Sequence, residues 1–151
     1  MYTIGQVAKI FDLPISTLRY YDKQGLFQQL IRESGIRKFS ENEIEALRVI
    51  ECLKKSGLEI KDIKLFMDWC AEGPATYADR FRLIRNQKER VEAEIKQLHK
   101  TLDMLKFKCW YYSKAMEDGN EDTAKASIPD GLPEDIRASY DNSHTQSSGN
   151  K

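Results

Sequence analysis

The chain has 151 residues, and its 24 lysines and arginines balance its 24 aspartates and glutamates to a formal net charge of zero. Hydrophobic residues make up 40% and charged residues 32%, which predicts one small folded domain with elongated or solvated parts. No apolar run is long enough to span a membrane, and the N-terminus lacks the pattern of a secretion signal. Three cysteines without a C-x-x-C pair predict a protein of the reducing cytoplasm.

The charges are unevenly distributed along the chain. Residues 1–40 carry six basic and three acidic side chains, and residues 76–116 carry ten basic and five acidic ones. The acidic excess lies in residues 41–75 and 117–151. Zero net charge therefore does not exclude a nucleic-acid partner, because phosphate is bound by local basic surface and not by the total charge.

Two short helices joined by a tight turn are predicted at the N-terminus. Thr3 and Gln6 have the spacing of a capping box, and the apolar face that follows them ends before Pro14, which has no amide hydrogen. A second helix is predicted over about residues 16–24, because Gly25 suits the left-handed turn at a helix C-terminus. Such a pair of helices is typical of a helix-turn-helix motif.

The next segment predicts a β-hairpin and two more helices. Residues 27–31 and 36–39 read as strands on either side of a glycine turn, which would form a wing. A second capping-box pattern at Ser40 predicts a helix to about residue 56, and a further helix is predicted over about residues 60–71. The residues expected on the buried face of the first of these helices are Ala46, Val49, Ile50 and Leu53.

A long helix with an uninterrupted heptad pattern is predicted after residue 76. Forty residues at about 1.5 Å each give a rod of roughly 60 Å, and such a stripe must be buried against another helix. No other segment is long enough to cover it, so a second copy of the chain is the predicted partner; the alternative is that the rod packs partly on its own globule. The seam residues are Tyr77, Phe81, Ile84, Lys88, Val91, Ile95, Leu98, Leu102, Leu105, Cys109, Tyr112 and Met116.

The second helix carries the candidate DNA-binding side chains. Leu18 and Tyr21, three residues apart, can face the core, and hydroxyls at the helix N-terminus lie where the amides and the helix dipole favour phosphate. The side chains expected to face a groove of DNA are Ser16, Thr17, Arg19 and Tyr20. The predicted wing adds three long cations suited to backbone or minor-groove contact: Arg32, Arg37 and Lys38.

These motifs together resemble those of the MerR-type transcriptional regulators. The matching stretches are residues 2–8, 17–26, 34–40 and 44–57, and the likeness covers residues 1 to about 116. It implies an all-α fold with a small β-hairpin wing, in which a winged helix-turn-helix is followed by a long antiparallel coiled-coil dimerisation helix. The implied domains are a DNA-binding domain over 1–72 and the coiled coil over 76–117. The composition of residues 118–151, which are acidic and rich in Ser, Asn, Asp and Gly, separately predicts a flexible tail.

The resemblance also implies a function and a set of contacts. Members of this family bind an inverted repeat in a promoter as homodimers and distort the DNA, so that RNA polymerase can engage both promoter elements. Transferred by position, recognition-helix contacts are implied at Ser16, Thr17, Arg19, Tyr20 and Tyr21, and wing contacts at Arg37 and Lys38. Which of these read bases and which hold phosphates stays open.

The effector is less constrained by the sequence. Cys70 and Cys109 are expected in the core and in the seam, and no cysteine or histidine pair has the spacing of a zinc or copper site, so no metal and no cofactor is expected. Cys52 follows Arg48 and precedes Lys55, and nearby cations favour the reactive thiolate. Residues 52–57 resemble the AdhR and NmlR branch, regulators associated with aldehyde and thiol stress. The alternative is that Cys52 is a small buried hydrophobe.

Other classes of function remain as alternatives. The two histidines, His99 and His144, neighbour no nucleophile in a recognisable motif, and there is no glycine-rich phosphate loop, so an enzyme is not expected. A coiled-coil adaptor, or a small-molecule sensor of the same fold without cysteine chemistry, stays open. In the acidic tail, residues 132–140 could form one or two helical turns and could dock on the basic rod.

Overall fold

A computed structural model describes residues 1–145 and shows a mainly helical chain with one small sheet. The chain forms two compact units, Met1–Lys88 and a second one from Glu89 onward. The strands are β1 (Tyr2–Thr3), β2 (Ile31–Glu33) and β3 (Ile36–Phe39). The helices are α1 (Ile4–Phe11), α2 (Ile15–Lys23), α3 (Glu41–Lys55), α4 (Ile60–Glu72), α5 (Tyr77–Asp118), α6 (Asp122–Ala126) and α7 (Glu134–His144), with a 3₁₀ turn over Pro74–Thr76.

The caps that the sequence predicts are present. Thr3 accepts a hydrogen bond from the amide of Gln6, whose side chain returns to the amide of Thr3, so the first capping box is confirmed. Ser40 and Glu43 form the second one at the start of α3. α2 ends before Gly25, which has the left-handed backbone expected of it (φ 75°). These local signals therefore set the helix boundaries of the N-terminal unit.

The sheet has three antiparallel strands in the order β1-β3-β2, with Tyr2 opposite Phe39 and Arg32 opposite Arg37. The prediction that the first wing strand covers residues 27–31 was wrong, because the strand begins only at Ile31. Phe27 is instead a buried loop residue that packs edge-on against Phe39, with 5.4 Å between ring centroids. Strand β1 was not predicted, since two residues are too short to show an alternating pattern.

The core of the first unit lies between α1, α2, α3, α4 and the sheet. Val7, Leu18, Phe39, Leu47 and Ile63 have no exposed surface. The predicted buried face of α3 was partly wrong. Ile50 and Leu53 are buried as expected, but Val49 is exposed and Ala46 is half-buried, and their places are taken by Ile44 and Leu47.

The N-terminal part of α5 presents two different faces within the first unit. Leu83 packs on the core, Gln87 is buried, and Arg80 donates to the carbonyl of Gly73. The heptad residues of the same segment lie on another face and are exposed: Tyr77, Phe81 and Ile84. The helix therefore packs on its own globule, but not through its seam.

In the second unit α7 lies against α5. The Oδ1 and Oδ2 atoms of Asp103 accept hydrogen bonds from Ser139 (3.1 Å) and Asn142 (2.5 Å), and the bond from Asn142 lowers the pKa of Asp103. Tyr140 packs edge-on against the buried Phe107 at 5.0 Å. Asp103 and Phe107 lie nearly opposite the seam on a helical wheel, so α7 leaves the seam residues uncovered.

The segment after residue 118 contains more helix than the one or two turns that the sequence predicts. It contains α6 and the 11-residue α7, and Arg137 donates to Asp141 and Asp130. The part of the predicted tail from residue 146 to residue 151 lies outside the described residues. Among the helices of residues 1–145, none is long and apolar enough to cross a membrane.

Candidate nucleic-acid interface

The recognition helix α2 is anchored by one face and presents the other. Leu18 and Tyr21 are buried, with 0% and 1% of their surfaces exposed, and this fixes the rotation of the helix. At 100° per residue, the residues on the opposite side are Ser16, Arg19 and Tyr20, and all three are exposed. Thr17 lies at the edge of this surface and is half-buried.

Arg19 is the exposed cation at the centre of this surface. Its side chain makes no hydrogen bond or ion pair with other residues in the range 1–145, so its donors are available to a ligand. Tyr20 is 46% exposed and lies beside it. An arginine can bind a base edge or a phosphate with two parallel hydrogen bonds, so this surface can recognise either.

Tyr21 is placed differently from the other predicted contacts, because its side chain is buried and its hydroxyl is hydrogen-bonded within the domain. Its hydroxyl donates to Oε1 of Glu51 (2.7 Å) and accepts a hydrogen bond from Nζ of Lys54 (2.9 Å). Burial, followed by the hydrogen bond to Glu51, raises the pKa of Tyr21. Through these two hydrogen bonds the hydroxyl joins α2 to α3.

The wing is tied to the recognition helix by Asp22. Oδ2 of Asp22 accepts hydrogen bonds from Nη2 of Arg32 (2.5 Å) and from Nε of Arg37 (2.7 Å). The Asp22 side chain is only 12% exposed and that of Arg37 is 25% exposed, whereas the Arg32 side chain is 53% exposed. Arg37 therefore has a structural partner in the free protein, and Lys38 lies half-buried beside it on β3.

We expect Asp22→Asn to loosen the wing. A hydrogen bond between charged groups contributes about 1.5–3 kcal/mol, and partial exposure reduces this, so the free energy of unfolding should fall by about 1–2 kcal/mol. Amide hydrogen exchange of β2 and β3 should become faster. The measurement is chemical denaturation combined with exchange mass spectrometry.

The exposed pair Glu45–Arg48 supplies the control for this prediction. Glu45 and Arg48 have side chains that are 72% and 62% exposed, so Glu45→Gln should change the free energy of unfolding by less than about 0.5 kcal/mol. If Asp22→Asn changes no more than this control and the wing amides keep their protection, Asp22 does not hold the wing.

Three further cations near the recognition surface were not predicted as contacts. Lys23 is exposed and lies on the same face of α2 as Arg19. Lys61 and Lys64 of α4 line an open cleft of about 650 Å³ together with Tyr20 and other residues. The sequence could have indicated Lys23 from its helical spacing. It could not indicate the two α4 lysines, because only the tertiary packing brings α4 beside α2.

All three cysteines are exposed. The expectation that Cys70 is a core residue was wrong: its Sγ lies 3.7 Å from Nη1 of Arg80 at the surface. Cys109 belongs to the heptad seam, and its side chain is exposed to solvent in the single chain. Cys52 is not a buried hydrophobe, and the neighbouring Arg48 is paired with Glu45. Among the described residues no three histidine, cysteine or acidic side chains could hold a metal ion together.

The comparisons with known proteins agree with this geometry. Residues 2–69 match the family model described as MerR HTH family regulatory protein. An uncharacterised HTH-type transcriptional regulator of Haemophilus influenzae is 36% identical over 120 residues, which cover 79% of this chain and 89% of the relative. The chain belongs to the MerR family. Members of this family are DNA-binding transcriptional regulators and not enzymes.

A solved structure and a regulator of Bacillus subtilis are also similar to this chain. The crystal structure of HiNmlR, a MerR family regulator that lacks the sensor domain and is bound to promoter DNA, has 35% identity and a TM-score of 0.63. The alignment covers 83% of this chain and 98% of HiNmlR. The regulator AdhR of Bacillus subtilis is 35% identical over 89 residues, which cover 58% of this chain and 64% of AdhR. The resemblance seen in the sequence motifs is thus confirmed.

Proposed function

We propose that this MerR family member binds an inverted-repeat promoter as a cytoplasmic homodimer and distorts the DNA to control transcription. Residues 1–72 act as the DNA-binding domain, residues 76–117 as the antiparallel dimerisation helix and residues 118–151 as an appended acidic segment. The observation that carries the proposal is the exposed recognition face of α2. The DNA-binding domain that presents this face, called the head below, leads into a long helix with an exposed apolar seam. The promoter-bound state of its relative HiNmlR supports the DNA partner.

The seam supports the homodimer. Leu98, Leu102 and Leu105 are 66%, 51% and 49% exposed in the single chain. A contiguous row of exposed large apolar side chains indicates an interface, and its heptad spacing is that of a helix that pairs with another helix. Helix α7 does not cover these residues, so a second copy is the partner that the heptad pattern fits.

Base and phosphate contacts come from different parts of the head in this proposal. Ser16, Arg19 and Tyr20 enter the major groove with α2, Thr17 binds at its edge, and Tyr21 fixes the helix from behind. Arg37 and Lys38 of the wing, together with the cleft lysines of α4, hold the backbone. Two heads held at a set separation can then supply the deformation energy of about 1–6 kcal/mol that bending a short site requires.

Footprinting on DNA that flanks the protein's own gene tests the function. We expect one protected site with inverted symmetry that overlaps the promoter elements, which would connect the regulator to RNA polymerase through the shared promoter. Binding should weaken steeply with salt, because protein cations displace the counterions of the phosphates. Equal binding to all DNA fragments at every salt concentration would instead favour an adaptor whose wing contacts protein.

The effector part of the proposal concerns Cys52. We propose that an electrophile or oxidant modifies this thiol and thereby alters the orientation of the head. Cys52 is exposed, so a reagent reaches it without unfolding. Cys52 follows Glu51, the residue that accepts a hydrogen bond from the Tyr21 hydroxyl. The backbone carbonyl of Cys52 accepts a hydrogen bond from the amide of Ser56 (3.2 Å). A change at Cys52 is therefore one residue from a contact with the recognition helix.

We expect Cys52→Ser to abolish promoter induction by aldehyde while it leaves operator affinity within about twofold of the wild type, since an exposed substitution of this kind changes stability little. Reporter expression with and without aldehyde is the measurement. Cys70→Ser is the matched control and should respond like the wild type. An unchanged aldehyde response in Cys52→Ser removes Cys52 as the sensor and leaves the DNA-binding function untouched.

A further inference from the structure

Helix α3 has a hydrogen-bonded contact with the recognition helix and another with the long helix. Near its C-terminal end Glu51 and Lys54 hold the hydroxyl of Tyr21 from α2. At the end itself, the backbone carbonyl of Ser56 accepts a hydrogen bond from Nε2 of Gln87 on α5 (2.7 Å). Both contacts lie within the first compact unit, so α3 connects the DNA-reading helix to the helix that carries the seam.

The Gln87 side chain is held in one orientation. Only 8% of Gln87 is exposed, and its Oε1 atom is buried without a hydrogen-bond partner in the described structure. Exchanging the two ends of the amide would place Oε1 against the carbonyl oxygen of Ser56, where neither atom can donate. The single hydrogen bond from Nε2 therefore determines the orientation of the amide, and this orientation leaves Oε1 without a hydrogen-bond partner.

The end of α3 is shaped to receive this amide. Gly57 follows Ser56 with a left-handed backbone (φ 93°), and a Cβ at this position would lie 2.9 Å from Nε2 of Gln87. A side chain at residue 57 would thus be strained and would also push the amide away. Glycine at this position therefore allows both the left-handed turn after α3 and the close approach of Gln87 from α5.

Gln87 also lies directly beside the seam. It precedes Lys88 and follows Ile84 by three residues, and both of these belong to the heptad stripe, while Gln87 itself is on the face that packs on the head. A rotation of α5 about its axis would therefore break the contact with Ser56. Within the first unit, the contact fixes the rotation of α5, and with it the seam residues Ile84 and Lys88, relative to α3.

We propose that Gln87 is a positioning residue that sets the separation and orientation of the two recognition helices in the dimer. The inference rests on the proposed binding of a symmetric operator by a homodimer. In such a dimer the distance between half-sites is determined by how each head is held on the shared helix pair. Loosening the head at Gln87 therefore broadens the range of half-site separations that the dimer accepts, while contacts within each half-site are unchanged.

The test uses the full-length protein and a set of operators in which the two half-sites are moved apart or together by one and two base pairs. We expect the wild type to lose at least about tenfold in affinity for each displaced operator, since a misplaced half-site loses its contacts. Gln87→Met, which keeps the length of the side chain but removes the donor, should lose no more than about threefold across the same set, because its heads can adjust.

Matched variants separate this role from a general structural one. Asn86→Met makes a similar change at the neighbouring exposed residue of α5 and should keep the wild-type dependence on separation. Should Gln87→Met not fold, Gly57→Ala displaces the amide and makes the same test, with circular dichroism used to verify the fold of each variant.

The outcomes are distinct. A folded Gln87→Met protein whose affinity depends on half-site separation as the wild type's does overturns the proposal. If the wild type itself binds no symmetric operator, the proposed function fails before Gln87 is tested. The positioning role is supported if the affinity of Gln87→Met depends less on half-site separation than that of the wild type and of Asn86→Met, while its affinity for the best operator is unchanged.

Discussion

Replacing Leu98 by aspartate is expected to convert the dimer into a monomer and to abolish operator binding. Leu98 is 66% exposed in the single chain and lies near the middle of the heptad seam. The seam runs from Tyr77 to Met116, so an antiparallel pair has its centre near residue 97. The two copies of residue 98 then lie close together, and two buried carboxylates would oppose each other. Burying an unpaired charge costs several kcal/mol, so the dimer dissociation constant should rise by at least about 100-fold.

Sedimentation velocity at micromolar concentration measures the first effect, and an electrophoretic titration with the operator measures the second. Gln97→Asp is the control, because residue 97 lies next to Leu98 but outside the seam and is also exposed. This control should remain dimeric and bind DNA. A Leu98→Asp protein that stays dimeric would show that the copies associate through a different surface.

Replacing Arg19 by alanine is expected to lower operator affinity by about tenfold to 100-fold for each half-site contacted, which corresponds to about 1–3 kcal/mol. Arg19 is exposed and carries no intramolecular partner within residues 1–145, so the folded head should keep its stability. Titrations at several salt concentrations reveal what it contacts. If Arg19 binds phosphate, the slope of the logarithm of the binding constant against the logarithm of the salt concentration should fall by about two for the dimer. If Arg19 reads a base, this slope should be unchanged and sequence specificity should be lost at that base pair.

The control for Arg19 is a lysine outside the head. Lys125 of α6 is exposed and pairs with Glu121 at 3.7 Å, so Lys125→Ala removes one positive charge without touching the proposed interface. Its operator affinity should match the wild type within about twofold, since an exposed charge outside the interface is screened. Wild-type affinity and specificity in Arg19→Ala would exclude this residue from the interface.

Local patterns in the sequence predicted much of this fold. The capping residues Thr3 and Ser40 and the left-handed Gly25 mark helix ends through interactions that reach only a few residues along the chain, and all three are confirmed. The wing was predicted less well. Its first strand is Ile31–Glu33 and not residues 27–31, because Phe27 is drawn into the core against Phe39, and this packing overrides strand propensity.

The candidate site divides in the same way. Spacing on one helix was enough to indicate that Leu18 and Tyr21 face the core and that Arg19 faces outward, because helical geometry is local. The partners of Asp22 and of Tyr21 could not be read from the sequence. They lie 10 to 33 residues away along the chain, and many pairings at such distances are compatible with the same pattern.

By itself, the amino-acid sequence determined the family, the helix-turn-helix, the exposed face of its second helix and the heptad stripe, because each depends on residue types at short, regular spacing. Only the tertiary structure decided that Ile44 and Leu47 replace Ala46 and Val49 in the core, that Asp22 holds the wing and that Gln87 meets the end of α3. These contacts join residues that are far apart in the sequence, so they depend on which helices and strands pack together. Short-range sequence patterns do not determine that packing.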